Sequence, residues 1–302
     1  METLDRAAWE ARSTAHAERV DRWVQPHLAR RRARIKHPVH DFLFTYYSHS
    51  PAALRRWHPG YGVTLLDADP ASWAPAYRIL HGIRAPEEGP GGPECHGVSV
   101  SPEYLASKVG VVEGIRQLLV ATQGRTASLG CFGLHEWAMV HRAAGETRHD
   151  RPLRLGSAGT DAVVESHRIT CSHFDAFRFF TPSARPLNRL QPGRDDRPAY
   201  EQPGCLHATM DLYKHAFRLW PLVGSELVAD CFELAWDVRT VDMRAAPYDL
   251  APWGLSPIRI ETPEGKQEYA ALQRGFADLA APLRERLVVD CEHLRAAADG
   301  PF

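Results

Sequence analysis

The chemical signal in this sequence lies in its histidines and the acids beside them. The chain holds sixteen histidines in 302 residues, and several stand near carboxylates at spacings that regular structure would make convergent. His207, Asp211 and His215 follow one another at i, i+4 and i+8, which on a helix puts an imidazole, a carboxylate and a second imidazole along one face. A metal ion needs its donors on one side in this way. The segment 225–244 carries Glu226, Asp230, Glu233 and Asp237 beside an apolar stripe of Leu227, Cys231, Leu234, Val238 and Val241. Facing helices with inward carboxylates and histidines build mononuclear and dinuclear iron or manganese centres. The competing reading is two amphipathic helices whose acids face solvent.

His173 and Asp175 form an H-x-D pair which, on a strand, would share one face with Cys171. The pair is similar to two ligands of the two-histidine-one-carboxylate triad, whose open positions suit iron and oxygen; a buried hydrogen-bonded pair would look the same. In Leu134-His135-Glu136-Trp137, apolar flanks imply partial burial, and a buried acid needs a partner. His135 is a candidate ligand there and Glu136 a candidate catalytic proton shuttle. His141 comes six residues after His135, so this is not the H-E-x-x-H zinc arrangement. Trp137, Met139 and Val140 are expected in the core, and His37, His40 and Asp41 are read as structural. Tyr46, Tyr47, Trp57 and Trp73 could line a cavity or fill the core. The candidate metal ligands are therefore His173, Asp175 and His207, then Asp211 and His135. No Walker loop, G-x-G-x-x-G or G-x-S-x-G is present, against nucleotide-binding and serine-hydrolase readings.

The elements that must position these residues are mostly helical. Residues 4–36 read as one long helix or a pair broken at Pro26, ending in the basic run Arg30 to Lys36, which is a solvated helix end or a phosphate-binding patch. Ser50-Pro51 starts a short helix reaching Trp57. Residues 85–97 form a Pro- and Gly-rich connection. Ser101-Pro102-Glu103 opens a helix to about Thr122, and 169–180 is the one named strand. The five prolines of 182–203 give a long surface loop. Helices follow at about 205–220 and 225–244, and Thr262-Pro263-Glu264 opens a helical hairpin. The expected fold is mainly α, with α+β possible: a bundle-like core with a few short strands in a single compact domain spanning 1–302.

The bulk properties set the limits. Hydrophobic residues make up 44% and charged residues 24%, an ordinary globular balance. A net charge of −1 gives no global field for nucleic acid or an anionic membrane. The six cysteines include no C-x-x-C pair and no secretory signal is read, so reduced thiols in the cytoplasm are expected. No apolar run approaches the ~20 residues that span a bilayer.

The segments Pro38–Tyr47, Pro51–Gly60, Cys171–Phe180 and Glu201–His207 resemble an actinobacterial family labelled 3-methyladenine DNA glycosylase, over nearly the whole chain. That resemblance implies nucleic-acid repair chemistry. Helix-hairpin-helix glycosylases use a glycine-rich hairpin ahead of a catalytic aspartate; the nearest fragment, Leu190-Gln-Pro-Gly-Arg-Asp195, matches poorly, so no catalytic residue carries over. A basic DNA-facing surface would have to come from Arg30 to Lys36 and Arg185 to Arg197.

The residues themselves favour a metal-dependent enzyme acting on a small organic substrate, with iron ahead of manganese or zinc because the donors mix nitrogen and oxygen without paired cysteines. The alternative is a DNA glycosylase or other repair protein.

Overall fold

The computed structural model describes residues 2–73, 75–83, 94–143 and 151–300. The architecture is mainly α, with a small sheet at one end. Most of the Pro- and Gly-rich connection expected at 85–97 lies outside the described residues.

Helix α1 spans Arg6–Arg32, capped by the Asp5 side chain accepting from the Ala8 N–H at 2.7 Å. It does not break at Pro26. Pro26 is exposed, so the carbonyl it deprives of a partner can bind water, while Val20, Trp23 and Val24 hold the opposite face in the core. The short helices α2 (Phe42–Thr45), α3 (Pro51–Arg55) and α4 (Pro70–Trp73) follow. Strands β1 (Glu2–Leu4), β2 (Val63–Leu66), β3 (Tyr77–Ile83) and β4 (Cys95–Val100) form one sheet in the order β1-β2-β4-β3, with β1 parallel to β2 and the other pairs antiparallel. In this sheet β2 is buried on both faces and β4 along its last four residues. Trp57 and Trp73 pack against the sheet in a satellite core, whereas Tyr47 is buried in the main one.

Helix α5 (Pro102–Gln123) starts from Ser101, whose side chain caps the Tyr104 N–H, as the sequence predicts. Helices α6 (Leu134–Ala138), α7 (Gly156–Ser166), α8 (Phe174–Phe177) and α9 (Arg197–Tyr200) are short connectors. Helices α10 (Leu206–Arg218) and α11 (Ser225–Ala245) lie where the periodicity puts them. The apolar stripe of α11 is buried throughout, and Glu226, Asp230 and Glu233 beside it turn to cations. Glu226 pairs with Arg12, Asp230 with Arg19 and Arg286, and Glu233 with Arg19 and Arg22. Three of the four acids of the stripe thus ladder onto α1, with Arg286 of the C-terminal helix joining at Asp230, while Asp237 enters none of these pairs.

Helix α12 runs unbroken over Pro263–Asp299, so the expected C-terminal hairpin is a single helix. Pro282 sits on its exposed side, where the lost hydrogen bond faces water. The expected strand at 169–180 also does not form. The Asn188 side chain accepts from the Cys171 N–H at 2.7 Å and donates to the Cys171 carbonyl at 2.9 Å, taking both backbone groups a partner strand would use. The chain then turns into α8. One continuous core from Val20 to Leu294 joins α1, α5, α10, α11 and α12.

Candidate metal centre

Three helix ends meet in the core. Helix α6 opens at Gly133, whose φ of 69° is left-handed and whose Cβ would lie 3.3 Å from that of Ala245, so the position favours glycine on two counts. This tight entry drives Leu134, His135, Glu136 and Trp137 into the interior, and the Trp137 Nε1 donates to the Ala245 carbonyl at 2.8 Å. The first turn of α10 supplies His207 and the last turns of α11 supply Arg239 and Asp242.

His135, His207 and Asp242 each offer a ligand atom, and these atoms lie within 4.8 Å of one another. The His135 and His207 rings stand edge to face with centroids 4.4 Å apart. His135 Nε2 faces Asp242 Oδ1 at 3.2 Å, close enough for an ion pair, yet neither atom has a well-aligned hydrogen bond. Both residues are almost wholly buried and His207 is partly so. Two imidazoles and one carboxylate are a complete donor set for a mononuclear metal with open positions, so the residues fit such an ion.

Without an ion the charges make His135 and Asp242 an imidazolium–carboxylate pair, whose proton a metal would have to displace. Burial would push the His135 imidazole down, but the Asp242 carboxylate holds it up at about 10. Asp242, which burial would raise, is held well below the usual carboxylate range by His135. Burial and the neighbouring His135 push His207 well below its ordinary value, keeping a lone pair available. Arg239 Nη1 donates to Glu136 Oε1 at 2.9 Å and to Asp242 Oδ2 at 3.0 Å, with its guanidinium 3.9 Å above the Phe42 ring. Glu136 therefore neighbours the triad through Arg239, an outer partner that orients a ligating carboxylate.

A second charged group adjoins the first. The His173 ring lies 5.2 Å from that of His207, and its Nε2 is 3.4 Å from Asp211 Oδ2 and 3.5 Å from Glu201 Oε1. Tyr47 donates to Asp211 Oδ1 at 3.1 Å, and Arg197 and Lys214 reach Oδ2 at 3.0 and 3.2 Å. Burial would raise the Asp211 carboxyl, but His173 and Lys214 hold it well below its ordinary value. Asp175 points away to Lys214 at 2.8 Å and to Arg178. The turn at α8 separates the two members of the H-x-D pair, so they do not share a ligand face.

Of the sequence candidates, His135 and His207 enter the triad, His173 and Asp211 form the adjoining group, Glu136 lies behind Asp242, and Asp175 joins an outer ion pair. Asp242 was absent from the candidates, although its position offered a signal. It falls four residues after Val238 and seven after Ala235, in phase with the buried stripe of α11, where an acid must have a partner. Glu201 emerges from the Pro-rich loop, where no periodicity marks it.

A crevice with about 10 Å³ of free space, room for about one water, reaches His135 and His207 past Cys131, Cys171, Cys205 and Gln273. Burial pushes the Cys171 and Cys205 thiols far up, and the three grouped ligand atoms are nitrogen and oxygen. No described helix is long and apolar enough to cross a membrane. Comparison of the chain with models of protein families, with curated proteins and with solved structures gives no match.

Proposed function

We propose that the chain is a metal-dependent enzyme with one divalent ion held by His135, His207 and Asp242. The observation that carries this reading is the meeting of two imidazoles and one carboxylate, from three separate helices, with ligand atoms within 4.8 Å. Iron is the first candidate, because this donor set with open positions suits iron and oxygen chemistry, with manganese and zinc as alternatives. When bound, the ion would supply a Lewis-acidic centre with positions for a co-substrate. Oxidation of a small organic molecule is the activity this favours, and it requires the crevice of about 10 Å³ at His135 and His207 to open.

The chain's own residues have defined tasks in this account. Arg239 orients Asp242 through its Oδ2, leaving Oδ1 toward His135. His173 lies beside the His207 ring, against Asp211 and Glu201, within reach of the triad as a proton-holding imidazole. The narrow crevice limits water at the centre.

A second reading has its own observation: the 3.2 Å contact of His135 and Asp242 also suits an imidazolium–carboxylate pair with no metal. Elemental analysis of protein purified without histidine tag or chelator separates the two. The metal reading expects about one equivalent per chain, lost in His207→Ala. No metal, even after anaerobic reconstitution with iron, leaves the ion pair.

A further inference from the structure

The basic run at the end of α1 is not used by the metal centre, and its geometry is unusual. The helix closes in a two-bond turn: Ile35 N–H donates to the Arg30 carbonyl at 2.9 Å and Arg34 N–H to the Arg31 carbonyl at 3.2 Å. In such a turn the residue after the cap is left-handed and usually glycine. Here it is Arg34, with φ of 58°, a conformation that costs an L-residue roughly 1–2 kcal/mol. Ile35, which would normally fold back on the helix, is 60% exposed. A strained arginine where glycine fits better is a feature to be explained by what its side chain does.

That side chain lines an open groove of about 930 Å³ together with Arg31, Lys36 and Arg151, over a floor that includes Phe42 and Phe44. Arg31, Arg34 and Lys36 are exposed, and among the described residues none of them is in an ion pair. Asp41, the one acid lining the groove among the described residues, is already satisfied: His27 and Arg30 approach Oδ1 at 2.9 and 2.7 Å, and the His37 N–H approaches Oδ2 at 2.8 Å. Cations therefore line a cleft that, among the described residues, has no free counter-charge, although the whole chain carries −1.

We propose that this groove binds a small organic phosphate, its phosphate held by Arg31, Arg34 and Lys36 and its apolar part against the edges of Phe42 and Phe44, whose faces are covered by Arg239, Tyr46 and His27. Guanidinium forks match phosphate oxygens in pairs, and the volume lies in the range of small-ligand sites. A nucleic-acid duplex fits less well, since these cations are gathered in one cleft and the near-neutral chain supplies no wider field. Phe42 ties the groove to the metal centre, because Arg239, which holds Asp242, stacks on its ring. The proposal does not depend on a metal being bound.

The test is calorimetric titration of the full chain at low salt with inorganic pyrophosphate, adenosine monophosphate, adenosine, and a single-stranded and a duplex oligonucleotide. Saturable one-to-one binding of pyrophosphate and adenosine monophosphate, but not adenosine, is expected. Arg34→Gly, which relieves the backbone and so does not threaten folding, should weaken it about 5- to 10-fold, in line with loss of one charge-assisted contact. Lys36→Ala should weaken it similarly, and Arg116→Ala, far from the groove, should leave it unchanged. Failure of both phosphates to bind, or equal binding by wild type and an Arg31→Ala/Arg34→Gly/Lys36→Ala variant, overturns the proposal. Oligonucleotide binding much tighter than adenosine monophosphate, lost in the same triple variant, overturns the small-ligand assignment in favour of nucleic acid. Metal content is read separately, so its outcome bears only on the metal centre.

Discussion

Replacing Arg239 by methionine probes the charge balance around the candidate centre. Arg239 is 1% exposed, and its Nη1 is shared between Glu136 and Asp242, which are 4% and 0% exposed. Methionine keeps most of the packing volume over Phe42 but removes the cation that Glu136 and Asp242 share. Breaking a buried pair from one side costs about 3–5 kcal/mol. With an unfolding entropy of about 2.1 cal/mol/K per residue, a chain of 302 residues loses about 1.6 °C in Tm per kcal/mol. The variant should therefore melt about 5–8 °C lower and show a matching drop in urea stability at pH 7, measured with chelator present so that metal binding does not enter. Arg239→Lys retains the charge but not the planar fork and should lose less. Adding Glu136→Gln to Arg239→Met should recover part of the deficit, since the neutral amide removes one of the stranded charges. A loss below about 1 kcal/mol for Arg239→Met would refute the premise that this buried guanidinium holds the charge balance around Asp242.

Other consequences are open to direct measurement. Burial holds His49 at about 4 and His58 at about 3, below the ordinary 6.5; the unfolded chain then takes up more protons as pH falls below 6.5, so each should remove about 2 kcal/mol of stability between pH 7 and pH 5. Urea titrations across that range should show the slope, and His49→Phe should flatten it; an unchanged slope would exclude His49 as a source. Arg34→Gly should raise stability by about 1 kcal/mol by relieving its left-handed backbone, read from chemical denaturation; a loss would mean that the Arg34 side chain contributes more than the strain costs. A methyl at Gly265 would overlap the Arg259 carbonyl, so Gly265→Ala should cost about 1–3 kcal/mol, and wild-type stability in that variant would contradict the packing at the start of α12.

The helices were legible where one periodic stripe meets one core. The stripe of α11 from Leu227 to Val241 and the Ser101 and Thr262 caps point to their elements directly. Pro26 misled because a proline's effect depends on which side of the helix it faces, and that side is fixed only by tertiary packing. The strand expected at 169–180 failed because one side chain, Asn188, replaces the partner strand, and nothing local announces a contact across seventeen residues. The site was half legible for a similar reason. His207 and His135 stood out by type and neighbours, but Asp242 could be recognised only as an acid out of place on an apolar face, and Glu201 by nothing within its loop. Donors brought from separate helix ends converge through packing, which spacing along one segment does not encode.

The most direct test is titration of chelator-treated protein with cobalt(II), followed by absorption and by metal counted per chain. The metal account predicts one equivalent bound with visible ligand-field bands, no thiolate charge-transfer band, and loss of both uptake and bands in His135→Ala, His207→Ala and Asp242→Ala. No uptake by the folded wild type, or the same uptake in all three variants, would contradict it.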